Sequence, residues 1–237
     1  MRLASAALIC ALALPAQAQG PCATDAMLVF DGSASMSEIG FDIQDATRIE
    51  DARRAMARAM PEVELYRRIG LLTYGPGGAD ACTGISLRFP PIDRAAARVT
   101  AEIEALRPEG LTPLAASVEA AAELLAFRER KAIVVLVTDG NETCGGRPCA
   151  LGRRLSAEAA DLTIHVVGFK ATRDFFAWDN PDQQEYAGDT VAKCLSDWTG
   201  GLFVPTDTVD ELVEALRATL GCALIGAAPA TDPRRRS

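Results

Sequence analysis

The sequence of 237 residues predicts an α/β fold, with a doubly wound, mostly parallel sheet, one antiparallel edge strand and helices on both faces. Two observations lead to this fold class. Unbroken apolar runs at 27–30, 132–137 and 162–169 are typical of parallel strands that helices cover on both faces. Segments with helical periodicity alternate with these runs along the chain, which is the pattern of a doubly wound sheet.

Weaker strands complete the predicted sheet. We expect strands at 68–74 and 85–89, because the Gly-rich connection 75–84 between them is suited to a hairpin. The two strands of a hairpin are antiparallel, so the second of them is expected at an edge of the sheet. Residues 202–204 are expected to form a last, short strand.

Helix signals lie between these strands. Two segments begin with a threonine that is followed three residues later by a glutamate, as in a capping box; the pairs are Thr47 with Glu50 and Thr208 with Glu211. Pro61 is expected to end the first of these helices. Pro113 stands at a first-turn position and predicts a helix over 114–127.

The first residues have the pattern of a cleavable export signal. Arg2 supplies the positive start, residues 3–14 the apolar stretch, and Ala16-Gln17-Ala18 the cleavage site. This apolar stretch is shorter than the roughly 20 residues that a spanning helix needs, so no membrane span is expected in the mature chain. We therefore expect a periplasmic or secreted protein with a signal peptide at 1–18, one domain at 19–225 and a disordered tail at 226–237.

The charge balance bears on the class of partner. The formal net charge of the chain is −8, and such a surface repels the phosphates of nucleic acids. The run Arg234-Arg235-Arg236 is too short to reverse this effect. Nucleic acid is therefore not expected as a partner.

Six of the seven cysteines lie after the predicted signal, and an even number in an exported chain predicts disulfides. A bridge between Cys144 and Cys149 is expected, because the intervening Gly145-Gly146-Arg147-Pro148 has the composition of a turn. No pairing is assigned to the other four, which are Cys22, Cys82, Cys194 and Cys222. A zinc site is disfavoured, since the chain has no C-x-x-C spacing and a single histidine.

Acidic and hydroxyl side chains follow the predicted parallel strands. Asp31 ends the first buried strand and is followed by Ser33 and Ser35, Asp139 ends the strand at 132–138, and Thr112 precedes the helix that Pro113 opens. In a doubly wound sheet such loops meet at the carboxyl edge, so their oxygens can converge on one point. Two carboxylates and three hydroxyls suit a hard cation, which predicts Mg²⁺, or else Mn²⁺ or Ca²⁺.

At these residues the chain resembles the von Willebrand factor type A family, whose metal-ion-dependent adhesion site combines D-x-S-x-S with a distant threonine and a distant aspartate. The matching segments are Asp31-Gly32-Ser33-Ala34-Ser35, Gly110-Leu111-Thr112-Pro113 and Thr138-Asp139-Gly140. The segment 139–149 is also similar to a loop of exported bacterial members. The resemblance implies a cation that binds an Asp or Glu side chain of a partner protein, in an adhesion or scaffold module without turnover.

The alternatives to this function are two kinds of hydrolase and a structural subunit. An aspartate-nucleophile phosphatase-like hydrolase begins with D-x-D, but Ser33 stands where the second carboxylate is needed. A serine hydrolase needs a G-x-S-x-G turn, which the residues around Ser33 and Ser35 lack. His165 lies within a predicted strand and is expected to pack there. We therefore expect no enzyme, and the remaining alternative is a structural or oligomerising subunit with a purely structural cation.

An aromatic segment follows the strand at 162–169. It contains Phe175, Phe176, Trp178 and Tyr186, and it leaves the sheet at the predicted cation edge. Aromatic enrichment is found in interfaces and in small buried clusters alike. Phe176 and Trp178 are predicted to contact the partner, while a local core formed by these rings stays open as the alternative.

Overall fold

The computed structural model describes residues 22–39, 46–170 and 192–222. Its sheet has six strands in the order β3-β2-β1-β4-β5-β6. All neighbouring strands are parallel except β2 and β3, so the predicted fold class, with its antiparallel edge strand, is confirmed. The strands are β1 (Ala26–Asp31), β2 (Ile69–Tyr74), β3 (Ile85–Ile92), β4 (Lys131–Thr138), β5 (Asp161–Phe169) and β6 (Phe203–Thr206).

Helices fill the connections, and a short 3-10 turn, Ala34–Ser37, follows β1. The helices are α1 (Arg48–Val63), α2 (Ala96–Ala105), α3 (Leu114–Leu124), α4 (Pro148–Glu158), α5 (Lys193–Thr199) and α6 (Val209–Leu220). None of the helices within the described ranges is long and apolar enough to cross a bilayer.

The predicted helix starts are confirmed and two predicted ends are wrong. Thr47 and Thr208 each make both hydrogen bonds of a capping box. Pro61 does not end α1, which continues to Val63; proline lacks the N–H that would bond four residues back, but its fixed φ is helical and only two more residues follow. The helix α3 ends before residue 127, because Ala126 has a left-handed φ of 53°.

The sheet is covered on both faces, because successive side chains of a strand point to opposite sides. Ala26, Leu28 and Phe30 of β1 pack in a buried cluster with α1, α2 and α6. Met27 and Val29 pack in a second cluster with α3, α4 and α5. The strand order reverses between β1 and β4, and this reversal opens a crevice at their carboxyl ends.

The expectation of disulfides is met, but the predicted Cys144–Cys149 bridge is wrong. The bridges join Cys22 with Cys222, Cys82 with Cys144, and Cys149 with Cys194. Pro148 begins α4 instead of closing a turn, so Cys149 lies in the first helical turn and faces Cys194 on the adjacent helix α5. Cys144 stays in the loop before α4 and meets Cys82 from the β2–β3 connection.

His165 packs within the sheet, as expected. Its Nδ1 accepts a hydrogen bond of 3.0 Å from the backbone N–H of Leu202. Burial lowers the pKa of His165 to about 4, and the positive charge of Arg67 acts in the same direction. The neutral imidazole is therefore the form that the folded protein favours.

We expect acid to destabilise the protein through His165. Between its unfolded pKa of about 6.5 and its folded pKa, the unfolded chain binds a proton that the folded chain does not. The free energy of unfolding therefore decreases as the pH is lowered through this range. At pH 4.5 the loss should be roughly 2–3 kcal/mol. Urea unfolding of the wild type and of His165→Asn at pH 7.5 and pH 4.5 measures it. The asparagine oxygen can replace Nδ1 as acceptor but does not titrate; equal acid sensitivity of both proteins would contradict the assignment.

Candidate metal site

The five predicted ligand residues lie on three loops at the carboxyl edge of the sheet. Asp31 is the last residue of β1, Ser33 and Ser35 lie in the turn after it, Thr112 lies two residues before α3, and Asp139 directly follows β4. Ser33 Oγ and Ser35 Oγ are 3.0 Å apart, and Ser35 Oγ donates to Asp139 Oδ1 at 2.8 Å. The structure therefore joins the serine turn to Asp139, over 104 positions of sequence.

Asp31 is held by residues of its own turn and of the two strands that flank β1, which are β2 and β4. Its Oδ1 accepts from the backbone N–H of Ser33 at 2.8 Å, and its Oδ2 accepts from the hydroxyls of Tyr74 and Thr138 at 2.8 and 2.7 Å. Burial raises the pKa of Tyr74 well above its usual value, so its hydroxyl keeps the proton that it donates. These contacts fix the orientation of a fully buried carboxylate.

Thr112 is held in its loop by hydrogen bonds of its backbone. Its N–H donates to Thr143 Oγ1 at 2.8 Å, and its carbonyl accepts from the N–H of Thr143 at 3.1 Å. The Ala34 N–H donates to Gly110 O at 3.1 Å, which ties the threonine loop to the serine turn. Within the described ranges, the Thr112 side chain makes no hydrogen bond to the other four residues, so its oxygen remains available as a ligand.

Glycines let the loops approach this closely. Gly75 has a φ of 107°, and a side chain there would meet Gly32 O at 2.5 Å and Glu109 O at 2.6 Å. Gly110 has a φ of 76°, and its Cβ would lie 2.3 Å from Gly75 O. Only glycine fits at these two positions, because L side chains are strained at such φ values and the neighbours are backbone atoms.

Two carboxylates lie close together in this buried site. Asp31 is 0% exposed and Asp139 is 1% exposed. Burial and, after it, the negative charge of Asp31 raise the pKa of Asp139 to about 7, although Ser35 and Arg48 act to lower it. A divalent cation would remove the repulsion that this arrangement creates, so the donor set fits one.

Arg48 is a site residue that sequence reasoning missed. Its Nη1 donates to Asp139 Oδ2 at 2.9 Å and to the carbonyl of Ser35 at 3.2 Å, and its side chain is only 7% exposed. It is the first residue of α1, where an arginine looks like an ordinary surface residue. A buried arginine is thus placed beside one carboxylate of the predicted site.

Glu142 was also missed, and its role is structural. It is buried, and its Oε2 accepts from the N–H of Ala115 in the first turn of α3 at 2.8 Å. Its Oε1 accepts from the N–H of Cys144 at 2.7 Å. Glu142 therefore satisfies an open donor at the α3 N-terminus and orders the loop after Asp139.

The described residues contain no cluster of three or more His, Cys, Asp or Glu that could hold a metal, so a cation here depends on hydroxyl oxygens.

The predicted partner contacts cannot be placed in the structure. Phe176 and Trp178 lie outside the described residues, as do the predicted signal peptide and tail. Lys170 is the last described residue before this segment. Its Nζ lies 2.6 Å from Asp51 Oδ2 on α1. The contribution of these aromatic rings stays a prediction.

Comparison with known proteins agrees with this fold. Residues 26–142 match the von Willebrand factor type A domain. The uncharacterized protein YwmD of Bacillus subtilis (strain 168) is 26% identical over 201 residues, which are 81% of this chain and 83% of YwmD.

Two solved structures share the fold. The pilus adhesin SpaC from Lactobacillus rhamnosus GG, in its open conformation, has a TM-score of 0.60 at 12% identity, over 85% of this chain and 30% of SpaC. Proximal thread matrix protein 1 from the mussel byssus, with a zinc-occupied MIDAS motif, has a TM-score of 0.54 at 17% identity, over 84% of this chain and 46% of that protein. The chain thus spans less than half the length of either structure.

Proposed function

This chain belongs to the von Willebrand factor type A domain family, and we propose that it is an exported module that binds a partner protein through a divalent cation. The ligands are Asp31, Ser33, Ser35, Thr112 and Asp139, and the cation is Mg²⁺, or else Mn²⁺ or Ca²⁺. When bound, the cation supplies an electrophilic position that can accept an Asp or Glu carboxylate of the partner. The observation that carries this proposal is the hydrogen-bonded chain from Ser33 through Ser35 to the buried Asp139.

The charge of the ligand set supports a role in binding. Only two carboxylates are present and Arg48 neutralises part of their charge, so a divalent cation here would keep positive charge for an external anion. The mussel protein supports the class of site, since its MIDAS motif holds zinc. A pilus adhesin with the same fold supports an adhesive role.

We propose that the module is not an enzyme. In a phosphatase-like hydrolase Asp31 would act as nucleophile, but both of its oxygens accept hydrogen bonds from the protein and it is fully buried. These bonds hold both oxygens in place, which suits a fixed metal ligand better than a nucleophile that must reach a substrate. Export is supported by the three disulfides, which are typical of oxidising compartments. Phe176 and Trp178 remain proposed partner contacts.

The test separates cation binding from partner binding. Calorimetry with Mg²⁺ and with Mn²⁺ should show one site on the wild type and none on Asp139→Asn. Immobilised wild type should then retain a protein from the exported fraction of its own organism in Mg²⁺ and release it with chelator, while Asp139→Asn retains nothing. Absence of any cation binding would refute the proposal. Binding of the cation with chelator-insensitive capture would favour the structural-cation alternative.

A further inference from the structure

The Thr112 loop is enclosed by two other loops that a disulfide joins. On one side, the N–H of Leu111 donates to the carbonyl of Ala81 in the β2–β3 connection at 2.9 Å. On the other side, Thr143 exchanges two hydrogen bonds with the Thr112 backbone. The Cys82–Cys144 bridge starts one residue after Ala81 and ends one residue after Thr143. The threonine loop, the two flanking loops and the disulfide therefore form one closed arrangement.

Besides the Ala34–Gly110 bond to the serine turn, the contacts that hold Thr112 are few and lie near solvent. Ala81 and Thr143 are exposed, while Thr112 itself is only 5% exposed. Hydrogen bonds between exposed loops open readily in local fluctuations, since each contributes little net free energy. A covalent link between the two outer loops limits how far they can separate, and it keeps both sets of bonds within reach.

The position of Thr112 depends on its loop more than the positions of the other four ligand residues depend on theirs. Asp31, Ser33, Ser35 and Asp139 are fixed by hydrogen bonds of their own side chains. The Thr112 side chain has no comparable bond to them within the described ranges, so its place depends on the backbone of its loop. Whatever holds that loop therefore determines whether the fifth oxygen is in position before the cation arrives.

We propose that the Cys82–Cys144 disulfide is a positioning element of the cation site, which raises cation affinity by holding the Thr112 loop in its binding conformation. This inference rests on the proposed function, because it presumes a cation at the site. A pre-ordered ligand loses less conformational entropy on binding, and this difference appears directly in affinity. The disulfide thereby affects cation binding without itself contacting the cation.

The chain contains a matched control. Cys22 and Cys222 are partly buried, like Cys82 and Cys144. Cys22 precedes β1 and Cys222 follows α6, so their bridge lies at the amino edge of the sheet, away from the site. It also closes a longer loop, 200 positions against 62, so its removal should cost at least as much global stability.

The experiment compares the wild type with Cys82→Ser/Cys144→Ser and Cys22→Ser/Cys222→Ser. Calorimetry with Mg²⁺ and Mn²⁺ should show an affinity about 10-fold lower for the first pair, because loop order must then be gained on binding. The second pair should stay within about twofold of the wild type while its melting temperature falls. In the cation-free protein, amide exchange at Leu111, Thr112 and Thr143 should accelerate only in the first pair.

A double-mutant cycle distinguishes positioning from general destabilisation. Thr112→Val should weaken cation binding strongly in the wild type and less in Cys82→Ser/Cys144→Ser, because Thr112 is already misplaced there. If the serine pair does not fold, the same titration is made on native protein reduced in place, with the opened cysteines identified by alkylation. Wild-type affinity without the Cys82–Cys144 bridge, or an unchanged cost of Thr112→Val, would overturn this inference alone. Absence of cation binding by the wild type would overturn the proposed function as well.

Discussion

Asp31→Asn is expected to abolish cation binding while the metal-free protein stays folded. The change removes one of two anionic ligands and leaves its shape. Loss of a group that merely orients a ligand costs about 10- to 100-fold in metal affinity, so loss of the ligand charge itself should exceed about 100-fold. The fold should survive, because the amide oxygen still accepts from the Ser33 N–H. The repulsion of Asp139 by Asp31 disappears at the same time.

Thermal unfolding with and without 5 mM MgCl₂ measures this effect together with calorimetry. The wild type should melt at a higher temperature in Mg²⁺, since a ligand that binds only the folded state stabilises it. Asp31→Asn should show no such shift. Asp93→Asn is the matched control, because Asp93 is an exposed aspartate on the connection between β3 and α2, and it should behave as the wild type. A normal Mg²⁺ shift in Asp31→Asn would exclude Asp31 as a ligand.

The sequence was sufficient for the parts of the site that are local. Asp31, Ser33 and Ser35 lie within five residues after a recognisable buried strand. Their position at the carboxyl edge of the sheet therefore follows from that strand. The apolar runs of β1 and β4 likewise indicated parallel strands, because burial of both faces leaves no polar alternation. In these cases the physical cause acts within one element.

Long-range contacts could not be predicted in the same way. Tyr74 meets Asp31 across 43 positions, and Arg48 meets Asp139 across 91. Tyrosine at the end of a strand and arginine at the start of a helix are ordinary residues there, and no pattern marks their partner. The wrong disulfide had the same origin, because Cys144 and Cys149 are close in sequence but their side chains are directed to different neighbours by the start of α4.

Arg48→Gln is expected to destabilise the protein strongly without Mg²⁺ and much less with it. Arg48 is the buried positive charge beside Asp139, in the region where the cation would bind. Its removal takes the counter-charge from two buried carboxylates, and breaking a buried ion pair costs about 3 kcal/mol, an upper limit here because the pKa of Asp139 then rises and the group can take up a proton. A divalent cation supplies the missing charge, so saturating Mg²⁺ should recover roughly half of the loss. By thermodynamic linkage, the variant must then bind Mg²⁺ more tightly than the wild type.

Urea unfolding with 10 mM MgCl₂ and with EDTA measures the interaction between the charge of Arg48 and that of the cation. Arg53→Gln is the matched control, since Arg53 lies on the same helix but donates to the carbonyls of Ile103, Glu104 and Leu106 instead of to a proposed ligand. Its loss of stability should be the same in both solutions. If the loss caused by Arg48→Gln were also the same in both, Arg48 and the cation would not share one electrostatic site. A loss that is smaller in Mg²⁺ means that the arginine acts as the resident counter-charge of the site when no cation is bound.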